Sequence, residues 1–195
     1  MPALGPTTVL EAVNTMLSAI GEAPVNSVDA SGVVDATNAK ATLDKQSRLV
    51  QAEGWHWNTE RRFPLPLSFP DKFVYVPANA LVVDPSTDAP GAPEATVRGN
   101  RLYDIVNRTY AFERPVLVDM ILNLDFEELP EPARRYIVAR ATRVFQDDVL
   151  GSERLTQTTR AEEQRARAEV VRAELRNRDA NVLRGSVMMR RMLRR

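Results

Sequence analysis

Hydrophobic residues near the N-terminus recur at helical spacing between a start signal and a stop signal. Thr8 and Glu11 have the spacing of a capping box, and Gly21 followed by Pro24 ends the pattern. The predicted inward positions are all apolar: Val9, Ala12, Val13, Met16, Leu17 and Ile20. This pattern predicts an amphipathic helix that begins after Thr8.

A second stretch, from about Asp35 to Glu53, has the same period but smaller side chains. Gly54 follows it and is expected to cap its C-terminal end. The positions predicted to face inward are mostly small or aliphatic: Ala36, Ala39, Leu43, Ser47 and Val50. Such a stripe favours a helix that approaches its neighbours closely.

Between Phe63 and Leu124 the pattern changes to short β-type runs separated by turn residues. The apolar runs lie at 73–76, 81–83 and 115–121. Residues 97–104 predict a hairpin, because Gly99 and Asn100 tolerate the positive φ angles of a tight turn. The Pro-rich stretch 84–93 cannot form a central strand, and we expect it to be an exposed loop.

Helical periodicity returns at Pro130 and Pro132, since proline is tolerated in the first turn of a helix. The apolar positions that recur there are Tyr136, Ile137, Ala141, Val144 and Phe145. After Gly151, a long helix is predicted from Ser152 to about Asn177. Its i,i+4 ion pairs would be Glu163–Arg167, Arg165–Glu169 and Glu174–Arg178. Its narrow apolar stripe favours packing against a partner chain.

These elements predict a mainly α protein with an inserted β-region and a long C-terminal helix. We expect four segments: N-terminal helices of a helical core (1–62), an inserted β-rich region (63–124), C-terminal helices of the core (125–184) and a basic tail (185–195).

Composition narrows the chemistry that this fold can carry. The chain has 195 residues, of which 44% are hydrophobic and 27% charged, as in ordinary globular proteins. It has no cysteine and one histidine, which excludes disulfides, thiolate metal sites and most histidine-based catalysis. No apolar run is long enough for a membrane span and no signal peptide is recognisable, so we expect a soluble protein without a cofactor.

Charge is distributed unevenly along a chain whose formal net charge is zero. Residues 151–195 hold 12 Arg against 5 Glu and 1 Asp, a local charge of +6, so the other 150 residues sum to −6. The basic residues are 23 Arg and only 3 Lys, and arginine is the side chain suited to bidentate ion pairs at interfaces.

The basic tail combines arginines with flexible apolar side chains. This mixture suits docking on a protein groove, where methionine adapts to the surface and arginine pairs with acids. The candidate docking residues are Arg184, Met188, Met189, Arg190, Arg191, Met192, Arg194 and Arg195. Binding of nucleic acid through phosphate contacts and a disordered tail are the alternatives, and an amphipathic membrane contact has no supporting anchor elsewhere.

Two further clusters have a structural and a functional interpretation. Trp55 and Trp57 flank the single histidine, His56, and could stack on a ligand or simply anchor the preceding helix. The acids Asp125, Glu127, Glu128 and Glu131 could form a hydrolase site or complement the dipole of the helix that begins near Pro132. In both cases the structural interpretation is favoured, and no catalytic motif supports an enzyme.

Four blocks of sequence resemble one family in order and spacing. They are AVNTMLSAIGEAPVNSVD (12–29), RLVQAEGWHWNTE (48–60), GNRLYD (99–104) and LDFEELPEPARRYIVARATRVFQ (124–146). Together they are similar to tail tubular protein A, a component of short-tailed bacteriophages.

The resemblance implies a structural virion protein of the tail, assembled in the host cytoplasm. It would form a dodecameric ring that joins the portal protein to the nozzle protein, tail tubular protein B, with tail fibres attached near its lower face. DNA would pass through its channel without specific binding. The implied fold is a helical bundle with a β-rich insertion, as in phage head–tail connector proteins, and the implied role includes no catalytic residue, cofactor or membrane.

Overall fold

A computed structural model describes residues 5–28, 34–86 and 91–185 of the chain. Within the last helix, only the backbone is described for residues 153–156 and 178–185. The described residues form two compact units, one from those up to residue 47 and from residue 126 onward, and the other from those between residues 48 and 125. We call them the helical unit and the β unit.

Four α-helices run through the described chain: α1 (Val9–Ile20), α2 (Val34–Gln51), α3 (Glu131–Leu150) and α4 (Glu153–Gly185). A short 3-10 helix, Phe126–Glu128, precedes α3. Helix α2 contributes residues to both units, because the boundary falls between Ser47 and Arg48.

The predicted capping box of α1 is present. The Thr8 hydroxyl accepts a hydrogen bond from the Glu11 amide at 3.2 Å, and the Glu11 carboxylate accepts one from the Thr8 amide at 3.0 Å. Gly21 ends the helix in the left-handed conformation, with φ of 84°. Both end signals read from the sequence are therefore confirmed.

Helix α3 is the central element of the helical unit. It packs on α1 and forms an antiparallel hairpin with α4, since only Gly151 and Ser152 separate α3 from α4. Its buried apolar residues include Tyr136, Ile137, Ala141 and Phe145, as the helical period predicted. Gln146 also donates to the Ala19 carbonyl of α1 at 2.8 Å.

Five strands form the β unit: β1 (Thr59–Leu65), β2 (Ala80–Pro85), β3 (Ala95–Arg98), β4 (Arg101–Asp104) and β5 (Val116–Leu122). Strand β5 lies between β1 and β2 in an antiparallel sheet of order β1-β5-β2, while β3 and β4 pair as a separate hairpin. The core packs apolar side chains from the sheet, the hairpin and the segments between strands: Leu65, Val74, Val83, Leu102, Phe112, Val116, Val118 and Met120.

The predicted hairpin at 97–104 is confirmed. Val97 pairs with Leu102 and Arg98 with Arg101 across the turn, where Gly99 has φ of 65°. A second glycine, Gly54, also has positive φ at 77°, and an added Cβ there would lie 2.9 Å from the Ile121 side chain. That position tolerates only glycine without local rearrangement.

One prediction for the β-region was wrong in part. Residues 84 and 85 of the expected exposed loop belong to strand β2, and Ser86 is buried. Proline is tolerated there because β2 is an edge strand, so Pro85 interrupts no ladder on its free side. Residues 87–90 of that stretch lie outside the described residues.

The fold class predicted from the sequence is confirmed. About half of the structure is helical, a small antiparallel β-region is inserted between helices, and α4 is the long C-terminal helix. The boundaries of the four expected segments stay a prediction.

Candidate assembly surfaces

The residues predicted to dock on a partner fall at the end of the chain. Arg184 lies in α4, but its side chain is not described, and the remaining seven candidates, Met188, Met189, Arg190, Arg191, Met192, Arg194 and Arg195, lie outside the described residues. Their docking role therefore stays a prediction, and the candidate surfaces that the structure describes are on other elements.

An ion network joins α3 to α4. The Arg143 guanidinium donates to the Glu163 carboxylate at 2.5 Å and to Asp147 at 3.1 Å, and Arg140 lies 4.0 Å from Glu163. The hydrogen bond to Glu163 raises the pKa of Arg143, and the charge of Asp147 adds to the effect. Glu163 thus holds the two helices together, while its predicted pairing with Arg167 along α4 stays a prediction.

A second cross-helix pair lies near the opposite end of the same hairpin. Arg135 of α3 and Glu169 of α4 are 3.4 Å apart, and both side chains are about half exposed. Next to this pair, Arg172, Leu175 and Arg176 are exposed on α4. The apolar stripe of α4, which predicted a packing partner, is therefore covered in part by α3. Val170 of α4 is buried, while arginines of α4 remain at the surface.

One member of the acidic cluster, Glu131 at the start of α3, has a structural role in the helical unit. The Glu131 carboxylate accepts hydrogen bonds from the Thr7 amide at 2.9 Å and from the Thr7 hydroxyl at 2.7 Å. Arg134 donates to the carbonyls of Thr7, Leu129 and Glu127. These contacts fix the start of α3 to the segment before α1, which favours the helix-start interpretation over a hydrolase site.

The tryptophan motif also belongs to the structural framework. Trp55 is buried, stacks on Trp57 with ring centroids 6.5 Å apart, and donates from Nε1 to the Val50 carbonyl at 2.8 Å. His56, in contrast, is exposed. The favoured interpretation, in which Trp55 anchors the end of the preceding helix, fits these contacts.

Buried amides hold the neighbouring backbone in the β unit. Asn58 donates to the carbonyls of Gln51 at 2.8 Å and Leu122 at 2.9 Å, and accepts from the Trp55 amide at 2.9 Å. Gln51 in turn donates to the Leu124 carbonyl at 3.0 Å and accepts from the Leu124 amide at 2.8 Å. The end of α2 is thereby joined to the end of β5.

An arginine–aromatic cluster covers one face of the β3–β4 hairpin. The Arg98 guanidinium lies 3.7 Å from the ring centroid of Tyr103, and that of Arg101 lies 4.6 Å from Tyr110 and 5.0 Å from Phe73. Tyr103 and Tyr110 meet edge to face at 4.9 Å. Arginine and tyrosine are enriched at protein interfaces, so this surface has the composition of one.

Sequence reasoning missed this cluster. The alternation of Arg101 and Tyr103 in β4 was available as a signal, because residues two apart share a face of a strand. The contributions of Phe73 and Tyr110 were not, since isolated bridges outside the named strands bring them to the hairpin.

Neither a metal site nor a membrane span emerges from the described residues. Among them, no group of three or more His, Cys, Asp or Glu side chains is arranged to hold a metal ion. None of the described helices has a segment long and apolar enough to cross a membrane.

Comparison with known proteins gives the class of this molecule. The family model described as "Tail tubular protein" matches residues 10–180. The chain is also similar to "Tail tubular protein A" of Klebsiella phage KP34, with 32% identity over 169 residues that cover 86% of this chain and 87% of that protein.

The protein is a structural component of a phage tail, present in the virion, and not an enzyme. It belongs to the tail tubular protein A family, as the resemblance predicted.

Proposed function

We propose that this protein is the ring-forming adaptor that connects the phage portal to the tail nozzle. About twelve copies would form a closed ring around a channel, through which the genome passes during ejection without specific binding. The portal protein would contact one axial face and the nozzle protein, tail tubular protein B, the other. Tail fibres would attach near the lower face.

The observation that carries this proposal is the extent of the family match. It covers residues 10–180, which include most of the helical unit and all of the β unit. A ring adaptor needs lateral contacts between copies and two different axial faces. Two units of different composition, one rich in arginine and one with an arginine–aromatic face, can supply such surfaces.

Within this proposal the segments of the chain have separate roles. The helical segments 1–62 and 125–184 would form the wall and the portal side, and the β-rich segment 63–124 would make peripheral or tail-side contacts. The basic tail, 185–195, would dock on the portal. Deleting 185–195 is then expected to weaken portal binding, and unchanged binding of the shortened protein would refute this role.

The channel of the ring is proposed to be acidic. The first 150 residues carry a net charge of −6, and like charge would keep the DNA from adhering as it slides. A structure of the assembled ring with arginines lining the channel would contradict this assignment.

The test of the adaptor role is the native mass of the purified protein, measured by light scattering alone and with its cognate portal ring. A mass, or a mass increment on the portal, of about twelve protomers supports the proposal. A protein that stays monomeric in both samples and does not bind the portal refutes it.

A nucleic-acid-binding module is the second candidate, since α4 exposes Arg165, Arg172 and Arg176. It requires binding to DNA whose affinity falls steeply with salt concentration, because phosphate contacts release counterions. The adaptor requires no such binding, so a filter-binding titration at two salt concentrations separates the two functions.

A further inference from the structure

The helical hairpin carries an exposed basic surface near the start of α3. A shallow groove there, with a volume of about 670 Å³, is lined by Pro132, Arg135, Glu169, Arg172, Leu175 and Arg176. We call it the basic groove. Its three arginines outnumber its one acid, and Leu175 is 52% exposed at its edge.

The arrangement of charge in the groove is unfavourable for an isolated helix. Arg172 and Arg176 are four residues apart on α4, where like charges repel, and Val171 and Leu175 form a parallel exposed apolar pair. An acidic partner with apolar side chains would relieve the repulsion and cover the leucine.

The opposite end of the same hairpin has that chemistry. Asp148, Val149 and Leu150 close α3 and are all exposed, Val149 by 49% and Leu150 by 45%. We call these three residues the acidic tip. Glu22 is exposed and follows α1. Because the Ala19 carbonyl of α1 accepts a hydrogen bond from Gln146 of α3, the end of α1 lies near the end of α3, and the negative charge of Glu22 adds to that end of the hairpin.

Charge at the tip is not cancelled by the nearby ion network. Arg143 is held by Glu163 and by Asp147, the residue before the tip. Asp148 follows on an exposed face. The tip therefore presents an acid and two aliphatic side chains, which matches the groove in charge and in apolar character.

The two surfaces are far apart on one copy and cannot meet within it. From Arg135 to Asp148 the helix rises about 20 Å, at 1.5 Å per residue. Complementary patches at different places on identical subunits make a heterologous contact, which generates a ring when the rotation closes.

We propose that the acidic tip of one copy docks in the basic groove of the next copy and forms the lateral contact of the ring. This inference rests on the proposed adaptor function and specifies which surfaces close the ring. The occupant of the groove is thus a second copy of this chain, and neither portal nor nucleic acid.

Cross-linking tests the contact directly, because the chain has no cysteine of its own. The variant Leu150→Cys/Leu175→Cys, treated with a short bismaleimide in the assembled ring, should give a ladder of covalent oligomers. A mixture of the two single variants should give only a product of two copies, and each single variant alone should give none. The control variant Leu150→Cys/Val34→Cys should not form the ladder.

Charge reversal supplies a second, independent measurement. Arg172→Glu should weaken self-association by at least about tenfold, and adding Asp148→Arg in the same chain should restore most of it. Arg160→Glu, an exposed arginine on the same helix, is the matched control and should leave the native mass unchanged.

The outcomes separate the inference from the proposed function. A normal ring that gives no ladder, or that survives Arg172→Glu unchanged, overturns the contact while the adaptor role stands. Loss of portal or DNA binding by Arg172→Glu with intact rings assigns the groove to that partner instead and also overturns the contact. If the unmodified protein forms no ring alone or on the portal, the adaptor role itself fails.

Discussion

In the helical unit, α3 and α4 are joined by charged pairs, whereas in the β unit the end of α2 is joined to the end of β5 by neutral amides. The charged pair Arg143–Glu163 lies at the edge of the core with side chains 20% and 16% exposed. Among the amides of the β unit, Asn58 is only 2% exposed. Neutral amides avoid the desolvation cost that a buried charge carries.

The two kinds of contact differ in how strongly they depend on salt concentration. Partly exposed ion pairs weaken as salt concentration rises, whereas buried amide hydrogen bonds are screened little. The exposed arginines of α4 therefore lie on the unit whose internal contacts already depend on charge. We expect assembly and salt sensitivity to be properties mainly of the helical unit.

The largest expected effect breaks the amide network of the β unit. Asn58→Ala removes three hydrogen bonds and leaves buried backbone groups of Trp55, Gln51 and Leu122 without that partner. The free energy of unfolding should fall by about 3 kcal/mol. Urea denaturation measures the change.

The matched control for this substitution is Asn38→Ala on the exposed face of α2. It should change the unfolding free energy by no more than about 0.5 kcal/mol. Equal losses in the two variants would mean that the Asn58 hydrogen bonds are no more important than surface polarity.

The second prediction tests the charged pairs of the helical unit. Glu163→Gln keeps the size of the side chain but removes the charge that faces Arg143, and should lower the unfolding free energy by about 2 kcal/mol at low salt. Glu169→Gln, which weakens the half-exposed Arg135 pair, should cost about 0.5 kcal/mol. Urea denaturation at two salt concentrations measures both variants, and equal losses in the two would refute the distinction.

Local signals in the sequence were sufficient for much of this fold. The capping box at Thr8, the hairpin at Gly99 and the proline-marked start of α3 depend on residues close together in the chain, and all three are present. Strand β1 was missed because five consecutive residues, 60–64, are exposed, so no alternation marks it. Its position depends on pairing with β5, more than fifty residues away.

The candidate assembly surfaces were less predictable than the fold. An arginine-rich helix was evident from composition, but the basic groove exists only because Pro132 and Arg135 of α3 lie beside α4. The arginine–aromatic cluster likewise joins positions 73, 98–103 and 110 through tertiary contacts. Surfaces built from distant segments leave no continuous pattern in the sequence.

The third prediction concerns a charged exception within the β unit. Hydrogen bonds from the Asn107 backbone and side chain lower the pKa of Asp104, against an opposing effect of burial. Because the folded pKa is depressed, this stabilisation is complete above the unfolded value, near 3.8, and is lost as pH falls through the folded value. Asp104→Asn should cost about 1.5 kcal/mol at neutral pH.

The pH dependence identifies the cause of that loss. The difference between Asp104→Asn and the unmodified protein, measured by urea denaturation, should shrink as pH falls below 3.8. Asp71→Asn, at an exposed turn, serves as the control and should leave the free energy of unfolding at neutral pH within about 0.5 kcal/mol of the unmodified protein. A loss that is independent of pH would assign the effect to geometry and not to charge.

An effect smaller than that of Asp104→Asn lies in the helical unit, at a contact between a neutral hydroxyl and the backbone. Thr8→Ala removes the side chain that accepts from the Glu11 amide, so one amide of the first turn of α1 loses its partner, at a cost of about 1 kcal/mol. Thr8→Ser keeps the hydroxyl and should stay close to the unmodified protein. Because no ion pair is removed, the loss should be the same at low and high salt, unlike that of Glu163→Gln. A salt-dependent loss in Thr8→Ala would mean that the Glu11 carboxylate acts at this helix start through its charge. Charge would then stabilise the helical unit at the start of α1 as well as between α3 and α4.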